Sequence, residues 1–267
     1  MEKVSDVVDD RDFKPIPFDI FAPWANLLAR IKVPDDMMEE VQKLYKHINQ
    51  PNYESMGYGL VGQIEEEPMV TKEAREKFSM WEDFVNDTIL EFVNVQLRWN
   101  FALRHDLKEK VLDEKFYSTV RSMWFVKQRP GEYNPLHVHT NCKVSGIVYL
   151  QTPSKQLKSI KPLDTDGKIT FTNNSGTDMN FSEQSCFIKP EVGDMYVFPS
   201  KTTHMVWPYK SEDPNDLRLS LSFNADYTTH VEKEILERRG DINNAKKNIM
   251  ENENDESVTD GNINESG

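Results

Sequence analysis

Residues 131–150 read GEYNPLHVHTNCKVSGIVYL. His137 and His139 stand one residue apart, just ahead of an apolar run from Val144 to Leu150. On a β-strand alternate side chains share a face, so both imidazoles would point the same way, about 7 Å apart along the backbone. Two imidazoles placed so can converge on one metal ion. A mononuclear site needs at least a third ligand. His204, in the strand-like segment SKTTHMVWPY (200–209), is the candidate, and an antiparallel barrel would bring it back to the pair. Imidazole suits Fe, Zn, Cu and Ni, and an open coordination position permits catalysis. The other three of the six histidines, His47, His105 and His230, read as hydrogen-bonded or simply exposed. Cys142 could add a thiolate, which would suggest zinc, but it reads better as a small packed thiol.

The flanking sequence has the same strand character. FYSTVRSMWFVKQ (116–128) alternates and is rich in β-branched and aromatic residues. KVSGIVYLQ, KITFTN, SCFIKP, DMYVFPS, HMVWPY and LRLSLSFNAD follow, separated by turn signals such as TPS, DTDG, NNSG and SEDPND. Short strands at this spacing predict an antiparallel sandwich or barrel. The region before it is helical in period. Met37, Val41, Leu44, Tyr45 and Ile48 share one helix face, with Asp35 or Asp36 as caps and Pro51 as a stop. A longer helix is predicted from about Lys72 to Leu97, on the spacing of Phe78, Trp81, Val85, Ile89, Phe92 and Val93. Thr71 is a partial capping signal ahead of it. The expected organisation is a helical region at 1–110 packing on the barrel, a barrel core at 111–230, and a disordered acidic tail at 231–267.

Charge excludes some functions. The 267-residue chain carries a formal net charge of −13, which opposes a nucleic-acid partner or docking on anionic membranes. No apolar run reaches the length of a membrane span. The polar, acidic start MEKVSDVVDDRDFKP is unlike a signal or transit peptide. Two cysteines are too few for a disulfide framework, and a cytoplasmic location is expected.

Arg218 is the second chemical feature. In LRLSLSFN, Arg218, Ser220, Ser222 and Asn224 alternate with Leu217, Leu219, Leu221 and Phe223. If the polar set faces inward, Arg218 needs an anion, and a planar guanidinium with a nearby hydroxyl suits a carboxylate. If only the apolar set is buried, Arg218 faces water.

Together these residues resemble the iron(II)- and 2-oxoglutarate-dependent dioxygenases. That family places its site in a double-stranded β-helix, a jelly-roll barrel. Its motif is His-x-Asp/Glu, a distal His, then Arg-x-Ser. QRPGEYNPLHVH (128–139) resembles the lead-in of the prolyl-hydroxylase-like branch, GDMYVFPSKTTHMVWP (193–208) its distal-histidine segment, and LRLSLSFN its closing strand. A subgroup of oxygenases of marine tailed phages and bacteria is similar in carrying H-x-H-x-N-x-x-x-SG-x-x-Y-L, matched here by His137, His139, Asn141, Ser145, Gly146, Tyr149 and Leu150.

The resemblance implies a mainly β fold with flanking helices. It also implies Fe(II), 2-oxoglutarate as cosubstrate and dioxygen. Decarboxylation of 2-oxoglutarate to succinate would be coupled to oxidation of a substrate, most simply hydroxylation. His137, His139 and His204 would hold iron. Arg218 and Ser220, with Tyr149 and Asn141, would serve the cosubstrate or the surroundings of the metal, although packing and turn formation account for Tyr149 and Asn141 equally well.

His139 stands where the family has a carboxylate. The favoured expectation is an all-histidine triad. A two-histidine site with an extra open position, as in halogenating relatives, and a scaffold with lost or altered activity are the other readings. Outside this family the competing expectations are a cupin-like three-histidine metal protein without 2-oxoglutarate, and a non-catalytic jelly-roll or virion-associated module. The substrate would be a small molecule or a protein side chain, met in the host cytoplasm if the chain is phage-encoded. The polar stretch 151–185 would border the barrel mouth, and its Lys155, Lys158 and Lys161 read as a solvated face.

Overall fold

A computed structural model describes residues 27–101, 115–160, 162–172 and 184–239. The expected acidic tail beyond residue 239, His105, Lys161 and residues 173–183 lie outside them.

The chain enters as a short strand, β1 (Ala29–Lys32), followed by α1 (Asp35–Ile48). A 3₁₀ turn (Gly57–Gly59) leads to α2 (Lys72–Lys77) and α3 (Ser79–Phe101). Eight strands follow: β2 (Phe116–Gln128), β3 (Asn134–His137), β4 (Val144–Gln151), β5 (Ile169–Thr172), β6 (Ser185–Ile188), β7 (Asp194–Pro199), β8 (Thr203–Val206) and β9 (Arg218–Thr229). They form a five-stranded sheet in the order β1-β7-β4-β9-β2 and a four-stranded sheet in the order β3-β8-β5-β6. Every pairing between the strands is antiparallel. From β2 onward the chain passes back and forth between the sheets. Two interleaved four-stranded sheets are a double-stranded β-helix, with β1 added to the edge at β7.

The larger sheet is covered on both faces. Its outer face meets the helices: Val41 and Leu44 of α1 and Trp81, Val85 and Ile89 of α3 share one cluster with Val120, Met123, Phe125, Leu219, Leu221 and Phe223. Burying each such side chain contributes about 1.5–3 kcal/mol. The inner face meets the smaller sheet, where Ile147, Tyr149, Tyr196 and Phe198 pack on Ile169, Phe171 and Val206. Gly146 in β4 permits a close approach within this core. A Cβ there would lie 2.2 Å from the Phe223 ring and 2.8 Å from the Tyr196 carbonyl oxygen.

Three local expectations change. The helix predicted over 72–97 is two helices, broken at Phe78, whose ψ of 44° leaves the helical range. Arg75 spans the break, binding Glu82 beyond it and the Val120 carbonyl oxygen on β2, 2.7 Å away. Asp35 and Asp36 do not cap α1. Pro34 holds that position and the two acids occupy the first turn, where they favour the positive end of the helix dipole. The segment before α1 contributes β1, where only loop or helix was expected. Arg30 and Lys32 on that strand reach Asp194, a buried carboxylate on β7, at 2.7 and 3.3 Å.

No helix among the described residues is long and apolar enough to cross a membrane.

Candidate active site

β3 and β8 lie side by side in the smaller sheet, with His137 in register with His204. His139 lies two residues beyond the end of β3, tied to the loop after β7 by its backbone N–H donating to the Ser200 carbonyl at 2.9 Å. The pair is therefore not on one continuous strand, but its alternation holds. One ligand atom from each of His137, His139 and His204 falls within 4.8 Å of the others. Cys142 is not in this cluster; its Sγ lies 3.7 Å from the Ser145 Oγ.

The rings are held in a definite sense. His137 and His204 each place Nδ1 against the carbonyl oxygen two residues earlier, Pro135 at 2.7 Å and Thr202 at 2.9 Å. A carbonyl only accepts, so Nδ1 carries the proton and Nε2 keeps its lone pair. The His139 and His204 Nε2 atoms are 3.2 Å apart. Two nitrogens bound to one ion by bonds of about 2.1 Å stand roughly 3.0–3.4 Å apart, so this pair has the spacing of a coordination edge.

Burial favours the neutral rings. It pushes His204 down to about 3 and His139 to about 4, with the neighbouring His137 imidazole adding to both. His137 is lowered by burial as well. Phe198 and Phe171 stand 4.9 and 5.6 Å from the His204 ring, and Trp124 stands 6.1 Å from His139. Three neutral imidazoles in an aromatic setting make a donor set fit for a borderline divalent ion such as Fe(II), without a carboxylate's charge.

Arg218 opens β9 and is 2% exposed. The polar alternation therefore faces inward and the solvent-facing alternative does not hold. Its guanidinium donates to the Tyr149 hydroxyl and to the Gly167 carbonyl, each at 3.2 Å, and stacks 5.0 Å from the Tyr149 ring. Among the described residues no carboxylate pairs with it. Tyr149 is fully buried, and burial raises its pKa, so the hydroxyl keeps a proton to donate. Ser220, in register with Tyr149, is buried beside them. Asp216, just ahead of β9, anchors this end. Its carboxylate accepts from the Ser154 and Lys155 backbone N–H groups and the Ser211 hydroxyl at 2.7–2.9 Å.

Asn141 is exposed, at φ 58°, in the turn after His139. It lines the rim of a cavity of about 440 Å³ that reaches His137, His139, Ser222 and Asn224. Met56, Leu60 and Val61, from the loop around the 3₁₀ turn, and Trp124 form other parts of its wall. Neither that loop nor the place of Asn224 in the cavity wall with His139 was read from sequence. The inward alternation of β9 was the available signal for Asn224. The loop carried none, because long-range contacts hold it there: isolated bridges such as Gln63 to Tyr133, and Met56 and Leu60 packed on Ile64, Trp124 and Val126. Lys155 pairs with Asp213 on the surface at 3.3 Å, and Lys158 lines a separate polar cleft with Asp164 and Asp166.

Residues 122–224 match a family profile described as "Putative 2OG-Fe(II) oxygenase". No curated protein matches the chain in sequence. Solved structures with a similar chain path include an oxidoreductase of the 2OG-Fe(II) oxygenase family from Burkholderia pseudomallei, at 9% identity and TM-score 0.43, covering 74% of this chain and 84% of that one. A prolyl-4-hydroxylase from Pseudomonas putida is similar at 16% identity and TM-score 0.40, covering 74% and 91%. A prolyl hydroxylase from Trichoplax adhaerens, in complex with a hypoxia inducible factor peptide fragment, is similar at 13% identity and TM-score 0.47, covering 74% and 82%. Over residues 122–224 the barrel of this chain is thus similar to the 2OG-Fe(II) oxygenases.

Proposed function

We propose that the protein is a 2-oxoglutarate-dependent hydroxylase in which His137, His139 and His204 hold Fe(II), and Arg218 with Tyr149 holds the cosubstrate's distal carboxylate. The observation that carries this reading is Arg218. A buried guanidinium without a carboxylate partner among the described residues is costly unless an anion completes it. It lies in the same barrel as three convergent imidazoles. A three-histidine metal protein without 2-oxoglutarate would leave that charge unexplained.

The chain's residues divide the work. The histidines present three neutral Nε2 donors at one end of the barrel. Arg218 and the Tyr149 O–H offer donors to a carboxylate, and Ser220 stands beside them. The aromatic walls at Phe171, Phe198 and Trp124 limit water. Bound there, Fe(II) with 2-oxoglutarate supplies the oxygen activation and decarboxylation that the side chains cannot. The cavity of about 440 Å³ beside His137 and His139 is the proposed substrate entrance, within the size range of small-ligand sites. A small molecule or a protein side chain is the substrate class.

Calorimetry on metal-free protein tests this. Fe(II) should bind under anaerobic conditions, and 2-oxoglutarate should bind tightly only after it. In His204→Ala, Fe(II) binding should be lost. If 2-oxoglutarate fails to bind the iron-loaded protein, or Arg218→Ala leaves its affinity unchanged, the assignment is wrong.

A further inference from the structure

The cavity beside His137 and His139 has walls of unlike chemistry. Met56, Leu60 and Trp124 form an apolar side. Arg121 also lines it, and among the described residues no aspartate or glutamate does. That is unexpected in a chain with 45 acidic and 32 basic residues.

Arg121 reaches the cavity because β2 breaks its own alternation. Val120 and Met123 both pack in the outer cluster under the helices, although they stand three residues apart. An unbroken strand would turn one of them inward. Across the ladder Val120 faces Ala225 and Ser122 faces Asn224, so Arg121 is the extra residue of a bulge. Bulges of this kind re-aim a side chain, and here Arg121 and Ser122 both line the cavity.

Asp226 holds the guanidinium in place. Its Oδ2 accepts from Arg121 Nε at 2.7 Å, and its Oδ1 accepts from the Lys143 backbone N–H at 3.0 Å. The contact uses one of the three guanidinium nitrogens. Among the described residues Nη1 and Nη2 make no hydrogen bond. Their planar edge suits the two oxygens of a carboxylate or phosphate. The ion pair is half open to water, with Arg121 59% exposed, and such a pair adds little to stability. Folding alone therefore does not account for the bulge and the pair together. His139 lines the same cavity, where a carboxylate ligand would repel an anion.

We propose that Arg121 is a specificity-determining residue, and that the substrate is a small amphipathic anion. Its carboxylate or phosphate meets the free edge of Arg121, and its apolar part lies against Trp124, Met56 and Leu60. This rests on the oxygenase function proposed above. The net charge of −13 opposes an acidic polypeptide as the source of the anion.

Hexanoate, hexyl phosphate and 1-hexanol share an alkyl chain and differ in head group, so they serve as probes. Proton relaxation of each probe, measured with anaerobic protein loaded with Fe(II) and 2-oxoglutarate, reports binding close to the iron. The bound 2-oxoglutarate keeps the probes away from Arg218. At least one anion should bind about 3–10-fold more tightly than 1-hexanol, the size of a charge-assisted hydrogen bond at a partly exposed site. The tighter of the two anions distinguishes carboxylate from phosphate. Arg121→Gln should abolish the preference and leave 1-hexanol, Fe(II) and 2-oxoglutarate affinities unchanged, whereas Arg121→Lys should keep part of it. Equal affinity for the three probes, a preference that survives Arg121→Gln, or no iron-induced relaxation of either anion at millimolar concentration would overturn the proposal and leave the oxygenase reading standing. If wild-type protein takes up no Fe(II) or 2-oxoglutarate, the oxygenase reading falls instead. Saturation-transfer NMR on the unloaded protein then still reads whether anion binding depends on Arg121.

Discussion

The two faces of β9 differ in kind. Outward, Leu219, Leu221, Phe223 and Ala225 are buried against the helix layer. Inward, Arg218, Ser220 and Ser222 are also buried, and Asn224 accepts from the buried Ser145 hydroxyl. One strand thus supplies an apolar core on one side and a row of polar groups on the other. The outer face contributes stability by removing carbon from water. The inner face works against stability, since each buried polar group gives up hydration that only a partner restores. Buried polar rows of this kind are expected where function overrides stability.

Substitutions on the two faces should therefore separate folding from binding. Phe223→Ala removes a fully buried ring from the outer face and should lower unfolding free energy by about 3–5 kcal/mol in denaturant melts, leaving the Fe(II) affinity of the folded protein intact. Arg218→Ala should do the reverse. Iron should remain bound, 2-oxoglutarate affinity should fall by about 2–5 kcal/mol in calorimetry, and metal-free thermal stability should not decrease. Gly146→Ala forces a methyl into Phe223 and the Tyr196 carbonyl and should cost about 1–3 kcal/mol, read by the same melts.

Acid should sharpen the contrast. His139 and His204 titrate near 4 and 3 when folded, against 6.5 for the free ring, so the unfolded chain takes up protons first as pH falls. Metal-free protein should lose their contribution between about pH 6.5 and 3. Glu67 opposes this. Burial, with Glu132 nearby, pushes its carboxyl up to about 7 from 4.5, so its contribution is lost as pH rises across that range. In a Glu67→Gln background, metal-free protein should lose stability more steeply as pH falls from about 7 to 4.5. The smallest effect belongs to the helix layer: Thr71→Ala removes the cap that accepts from the Ala74 N–H and should cost about 1 kcal/mol.

What was legible in the sequence follows from the range of each interaction. Alternation in 116–128 and 217–226 marked β2 and most of β9, because successive residues of a strand point to opposite faces and the two faces differ in polarity. His137, His139 and His204 were legible through spacing and segment resemblance, and the structure brings the three together. The burial of Arg218 was not decidable, because both faces of β9 are covered and alternation names neither as the inside. β1 was missed because four residues carry too little pattern, and the salt bridges of Arg30 and Lys32 are to Asp194, far along the chain. The break at Phe78 was invisible because the apolar period continues through it, and Arg75 joins the two helices by contacts outside that period.

The most direct test is an anaerobic visible spectrum of iron-loaded protein during addition of 2-oxoglutarate, for wild type and Arg218→Ala together. A weak charge-transfer band from a chelated keto acid should grow and saturate in the wild type, and at the same cosubstrate concentrations should be absent from Arg218→Ala. Iron binding without a band in the wild type, or an identical titration in the variant, would contradict the assignment of the inner face of β9 to cosubstrate binding.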